Sequence, residues 1–218
     1  MGLPSTLLTC QYWSVTELSP AGQRLLDVAA EVFYAEGIRA TGVDTLTERA
    51  GVSKPVLYAQ FGSKENLVAA VLDQRRIRRK EALAAYLAEV SESGVGRLLA
   101  VFDWLASGHS RVGFRGCPFS NAAVELPDPG HPARRVILAY KTWLRDTLAD
   151  LAGQAGLDQP SEVADALLLL IDGANTRVLI TGDTTAMGRA KAAAIRLIGV
   201  ADMETGQAPR AAQNPGET

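Results

Sequence analysis

Cysteine is scarce in this chain: Cys10 and Cys117 are the two in 218 residues, too few for a disulfide framework. Histidine is as rare. Neither His109 nor His131 has a cysteine or carboxylate at metal-ligand spacing, so no metal site is expected. A glycine-rich phosphate loop, a Ser-His-Asp arrangement and a paired general acid and base are all missing. The expectation is a protein that is not an enzyme and carries no cofactor. Long apolar runs are missing too. The longest, Ala164 to Ile171, is interrupted by Asp165 and closed by Asp172, well short of the roughly 20 residues that span a membrane. The start of the chain has neither a basic n-region nor an apolar h-region, so no secretory signal and a cytoplasmic setting are expected. Charge of one sign is not in excess: the net charge of −2 argues against a surface coated for indiscriminate nucleic-acid binding. It leaves room for a local one, because attraction to phosphate acts over about 10 Å at ordinary salt.

What remains is helix. Strand-like alternation and internal repeats do not occur, whereas apolar residues recur at helical spacing between glycine and proline breaks. Ser19 followed by Pro20 opens a first helix. Its stripe is Leu25, Ala29, Val32 and Phe33, and Gly37 ends it. Short helices are predicted over 43–50 and 54–60, and Ser63 caps a long one running toward Val90. Further helices are predicted over 95–107, from Pro118, from Pro132, over 161–181 and over 185–199. The expected fold class is all-α, with about nine helices: an N-terminal three-helix helix-turn-helix domain over 19–65 and a C-terminal helical bundle over 66–200. Residues 1–18 and 201–218 read as flexible tails.

The segment Thr41 to Lys64, TGVDTLTERAGVSKPVLYAQFGSK, has the dimensions of a helix-turn-helix. Gly51 supplies the positive φ of the turn and Ser53 can cap the second helix. Leu46, Val52, Leu57 and Phe61 face inward. That leaves Lys54, Pro55, Val56, Tyr58 and Gln60 for the outside, where Val56 and Tyr58 gain nothing from water. Lysine and glutamine can bond base edges, and small apolar groups can meet a thymine methyl. Tyr58 and Lys64 suit phosphate oxygens.

GVSKPVLYAQFGSKENL resembles the signature of the TetR family, and the match extends upstream through Phe33, Gly37, Thr41, Val43 and Leu46. Pro55 stands where glycine is frequent, Gln60 where histidine is, Gly62 where proline is, and Thr47 where alanine is usual. The resemblance implies a homodimer on a two-fold related double-stranded operator, its recognition helices about 34 Å apart. The expected DNA-binding residues are Thr41, Ser53, Lys54, Pro55, Val56, Tyr58, Gln60 and Lys64.

It also implies a sensing domain. GCPFSNAAVE, HPARRVI and DGANTRVLITGD resemble a subgroup of the same family without indicating a ligand. Phe102, Leu105, Phe114, Phe119, Tyr140 and Trp143 fall in segments that, by this resemblance, surround a small-molecule cavity. Cys117, Asn121, Asp172 and Asn175 are polar or soft groups among apolar stretches there. The alternatives are core aromatics and capped or exposed polar groups, a redox role for Cys117, or a helical ligand-binding protein or enzyme without DNA activity. Arg75, Arg76, Arg78, Arg79 and Lys80 read as a solvated face or as partners of carboxylates. The last two helices are expected to form the dimer, with Ala186, Ala190, Ala193, Ala194 and Leu197 as a small-residue stripe.

Overall fold

The computed structural model describes residues 18–204, with side chains described as far as Gly199. The expected tails lie outside it apart from Leu18 and residues 201–204, and Cys10 lies outside it altogether. The described residues form α1 (Pro20–Glu36), α2 (Val43–Ala50), α3 (Lys54–Phe61), α4 (Lys64–Glu89), α5 (Val95–His109), α6 (Pro118–Glu125), α7 (Pro132–Gln154), α8 (Pro160–Thr181) and α9 (Ala186–Glu204). No strand occurs among them.

Local chemistry sets these boundaries. The Ser19 hydroxyl accepts the Gly22 N–H at 3.1 Å, and the Ser63 hydroxyl accepts the Asn66 N–H at 3.1 Å. His131 caps α7 by accepting the Ala133 N–H on Nδ1. Gly51 takes the left-handed conformation at φ 61°, as the turn requires. Gly62 ends α3 at φ 76° while donating its N–H to Tyr58 O. Proline, frequent at this place in the resembling family, could supply neither that φ nor that proton. The last helix continues to Glu204, past the expected stop at Gly199, because Ala201, Met203 and Glu204 are good helix formers.

α1, α2 and α3 close around Leu25, Ala29, Leu46, Leu57 and Phe61, all buried. α4 packs against this unit through Leu67, Val68, Val71 and Leu72 and then continues into the larger bundle. There α7 lies along α8, and α9 packs against both α8 and α5. Phe119 and Tyr140 stack in the core with centroids 3.7 Å apart and planes 9° off parallel.

The alanine stripe of α9 behaves differently from expectation. Ala186, Ala190 and Ala194 are buried within the chain, where small residues let α9 approach its neighbours. They are therefore not available to a partner. The large apolar residues left exposed on these helices are Leu169, Leu179, Ile180 and Ile195.

Candidate nucleic-acid interface and internal cavity

α3 has two sides. Leu57 and Phe61 are buried and Val56 and Gln60 half-buried, whereas Ser53, Lys54, Pro55, Tyr58 and Ala59 are exposed. Tyr58 is 54% exposed, a large exposure for an aromatic ring. The outer row offers a hydroxyl from Ser53, an ammonium from Lys54 and a phenol from Tyr58. The Lys54 Nζ lies 2.5 Å from Asp44 at the start of α2, and this hydrogen bond raises its pKa above the usual 10.5. Neither Gly42, the N-cap of α2, nor Ser53, the N-cap of α3, makes a side-chain cap bond. Each helix turns the positive end of its dipole outward, although in α3 Pro55 has no N–H and the Val56 N–H donates to Ser53 O at 3.0 Å, which leaves α2 the better anion-facing end.

Three expected DNA contacts are spent elsewhere. Thr41 is 2% exposed and donates its hydroxyl to Gly37 O at 2.7 Å, which fixes the α1–α2 connection. Gln60 accepts the Ser19 N–H on Oε1 at 2.9 Å. It lies so close to Gly22 that a Cβ there would sit 2.5 Å from that oxygen. Lys64 donates to Ile38 O at 2.7 Å and sits 6.0 Å from the centre of the Phe33 ring. In each case a polar side chain at a packed junction does better against an orphan backbone group than in water.

A cavity of about 300 Å³ lies among α4, α5, α7, α8 and the 110–117 loop. Leu105, Phe114, Cys117, Tyr140, Asp172 and Asn175 line it. Four other expected lining residues do not. Phe102 is turned into the α5 core, Phe119 is held against Tyr140 by its stack, and Trp143 lies under the Lys80 ammonium at 5.8 Å. Asn121 lines a separate cavity of about 290 Å³ beside α1 and α6 and donates to Arg115 O at 2.6 Å.

The basic run of α4 departs most from expectation. Arg76 pairs with Asp73 at 2.7 Å, and Arg78 approaches Asp27 at 3.9 Å. Arg75, Arg78 and Arg79, however, line the cavity, and of these Arg75 and Arg79 are the half-buried ones. Arg79 donates from Nε to the Tyr140 hydroxyl at 3.0 Å and lies 4.5 Å from the Trp104 ring centre. Arg75 lies 4.9 Å from the Tyr34 ring centre, and burial lowers its pKa from the usual 12.5. Burial also raises the Tyr140 phenol to about 12, so it stays protonated. Lys141 and Asp172 pair at the cavity wall. His109, 3% exposed, meets Asn175 Oδ1 through Nε2 at 3.0 Å, while its buried Nδ1 has no partner. Sequence carried a signal for the two arginines: Val71, Arg75, Arg79, Leu83 and Leu87 recur every four residues, so the basic pair continues a buried stripe.

Comparison with known proteins bears on both sites. Residues 25–71 match the family described as bacterial regulatory proteins, tetR family. Residues 94–194 match the tetracyclin repressor-like C-terminal domain. The chain is 53% identical over 51 residues to the HTH-type transcriptional activator FasR of Mycolicibacterium smegmatis, covering 23% of each protein. It is 45% identical over 49 residues to the HTH-type transcriptional repressor ComR of Escherichia coli, covering 22% of this chain and 23% of that one. A crystal structure of a TetR-family transcriptional regulator from Streptomyces coelicolor is similar over 82% of this chain and 95% of its own, at 33% identity and a TM-score of 0.75.

Two outcomes follow from the geometry. Gln60→Ala removes the only side-chain link described between the Ser19 N–H and α3, so it should lower unfolding free energy by about 1 kcal/mol and leave the preferred DNA sequence unchanged. Urea unfolding together with selection from random DNA checks both; a shifted sequence preference would return Gln60 to the docking face. Burial lowers the His109 pKa below 6.5, so the folded protein binds the neutral ring and the unfolded chain takes the proton first. The contribution of His109 is whole above about pH 6.5 and is lost as pH falls below it. Between pH 7.5 and 5.5 the wild-type melting temperature should therefore fall more than that of His109→Gln. Equal falls would mean that His109 does not titrate in this window.

Proposed function

The chain belongs to the TetR family of DNA-binding transcriptional regulators, and we propose that it acts in the cytoplasm as a homodimeric repressor released from its operator by a small molecule in the α4–α8 cavity. In this reading residues 19–65 bind DNA, and 66–200 bind the effector and the second subunit. Regulators of this family are generally not enzymes, and the mechanism needs no catalytic step.

The observation that carries the DNA half is the outer row of α3, with Ser53, Lys54, Pro55 and the 54% exposed Tyr58 left unburied beside the N-terminus of α2. Tyr58 and Ser53 would contact phosphate, the N-terminus of α2 would add its dipole, and Lys54, Pro55 and the free edge of Val56 would meet bases in the major groove. Charge is used sparingly. Arg24, Arg39, Arg49, Lys54 and Lys64 are balanced across 19–65 by Asp27, Glu31, Glu36, Asp44, Glu48 and Glu65. Few phosphates are then neutralised per subunit, and the dimer supplies the affinity.

Leu169, Ile180 and Ile195 support that dimer. They expose 75%, 75% and 50% of their surfaces on α8 and α9, more than scattered surface residues require. A two-fold axis through this face would pair the helices with their copies and set two α3 helices toward one operator. The matched relatives include an activator and a repressor, so the sign of regulation is set by where the operator lies. Repression is what occupancy of a promoter does by itself.

Ligand release would use two links. One is α4, which runs from the helix-turn-helix into the cavity wall. The other is Tyr34 on α1, whose hydroxyl accepts the Arg115 N–H at 2.7 Å and donates to Gly116 O at 3.0 Å, while Arg75 stacks on its ring.

Selection of bound sequences from random DNA should yield a two-fold related site. On that site Asp44→Asn, which frees Lys54 and removes an acidic group from the face, should tighten binding and steepen the salt slope by up to about one unit. Failure to select any sequence would overturn the DNA reading. The Leu169→Glu, Ile180→Glu double variant should sediment as a monomer and lose operator affinity by about 100-fold or more; a wild-type protein that binds its operator as a monomer would overturn the dimer.

A further inference from the structure

We propose that the α4–α8 cavity takes a compact organic carboxylate, gripped by Arg75 and Arg79 with the Tyr140 hydroxyl as a third donor. The inference rests on reading this cavity as the effector site and names the chemistry of what it holds.

The charges at the wall do not cancel. Lys141 is taken by Asp172, and Arg78 has Asp27 nearby at 3.9 Å. Arg75, Arg79 and the exposed Arg111 have no carboxylate in ion-pair range among the described residues, although all three line the cavity, and of these Arg75 and Arg79 are half-buried. A partly buried guanidinium without a counter-charge is costly, and removing a partner from such a group costs far more than an exposed pair is worth. An anion entering from solvent would relieve that cost.

The donors are also arranged for one. Arg79 spends Nε on the Tyr140 oxygen, which leaves both terminal NH2 groups of the fork. Its plane rests near Trp104 at 4.5 Å and Tyr140 at 5.8 Å, so the fork is held before any ligand arrives. Tyr140 accepts from Arg79, and no described acceptor takes its own proton. That phenol is buried and keeps its proton up to about pH 12, so it has a hydrogen to donate to what comes next. A carboxylate matches a planar fork plus a neighbouring hydroxyl better than a spherical ion does.

The remaining wall sets the rest of the molecule. Leu105, Phe114, Leu144 and Ile171 are apolar, and Trp104 adds a flat surface. An inorganic anion would leave most of about 300 Å³ unfilled. That volume is at the lower end for ligand sites, which favours a small ring or short branched chain over a long acyl chain. Asn175, whose oxygen is taken by His109, has its amide NH2 left for a second polar group on the ligand.

The probes are 2-naphthoate and its neutral near-isostere 2-naphthamide, titrated into the full-length protein by calorimetry at pH 7.5. The carboxylate should bind at least about tenfold more tightly than the amide. Sodium sulfate should compete with the naphthoate and leave the amide untouched, a readout that needs no variant. In Arg79→Met and Arg75→Met the preference should shrink to about twofold or less, and Arg79→Lys, which keeps the charge without the fork, should fall between. Trp104→Ala should weaken both probes alike. Equal affinities in the wild-type protein, or no binding of either probe, would overturn the proposal. Operator binding by the same preparation separates the two readings. Salt-sensitive operator binding without carboxylate preference sinks the anion site alone. Carboxylate preference without any operator binding keeps the anion site and sinks the regulator reading.

Discussion

One helix ties everything else together. α4 runs unbroken for 26 residues, about 39 Å at 1.5 Å per residue, with no glycine or proline between Lys64 and Glu89. Its first turns bury Leu67 and Val68 against the helix-turn-helix, its middle places Arg75 and Arg79 at the cavity, and Leu83 and Leu87 anchor its end in the bundle. A helix without a kink residue moves as a rod. In the proposed switch, a shift at the cavity wall would be carried along this helix to the end that abuts α3, and by reciprocity operator binding would weaken effector binding.

Around that rod the polar groups divide into two populations. Where helices join one another they are consumed: Thr41, Gln60 and Lys64 each satisfy a backbone group. Ser19 and Ser63 cap the two helices that bear the core. Where the molecule meets something outside itself they are left open. Tyr58 stands 54% exposed on α3, and among the described residues Arg75 and Arg79 lack carboxylates in ion-pair range and the Tyr140 proton lacks an acceptor. Unsatisfied polarity is costly in a folded protein, and the two arginines with the Tyr140 proton gather it on one cavity wall.

The sequence made the helices easy to place, because proline, glycine and serine punctuate them at positions where backbone chemistry permits little else. Ser19-Pro20, Gly51, Ser63 and Pro118 all stand where their caps or turns require. Leu57 and Phe61 announced the inner face of α3 because nothing else could bury them. The side chains beside that face were harder to read. Gln60 and Lys64 look like DNA contacts by composition, yet the partners that claim them, Ser19 and Ile38, are distant in sequence. Arg75 and Arg79 were hidden by their neighbours. Within a run of five cations, the four-residue step from Val71 to Leu83 distinguishes the two half-buried cavity arginines from Arg78, which lines the cavity but stays exposed. The alanines of α9 misled for a related reason, since small residues serve close packing within a chain as well as between chains.

The size of the signal that could pass from cavity to DNA can be weighed from one contact. Arg75 stacks on Tyr34 at 4.9 Å, and Tyr34 clasps Arg115 and Gly116 to α1. Glu125 makes a second clasp by accepting the Arg39 N–H at 3.0 Å. A cation–π contact in a partly desolvated setting contributes between about 0.5 and 2 kcal/mol. Coupling energies between allosteric sites are typically about 1–3 kcal/mol. A ligand that draws the Arg75 guanidinium off the Tyr34 ring would therefore spend an energy of the right order to change operator affinity about tenfold. Movement of α4 adds to it, and in a dimer both subunits contribute. Neither clasp needs to break for this to work. It is enough that the arginine cannot serve the tyrosine and an anion equally well at once.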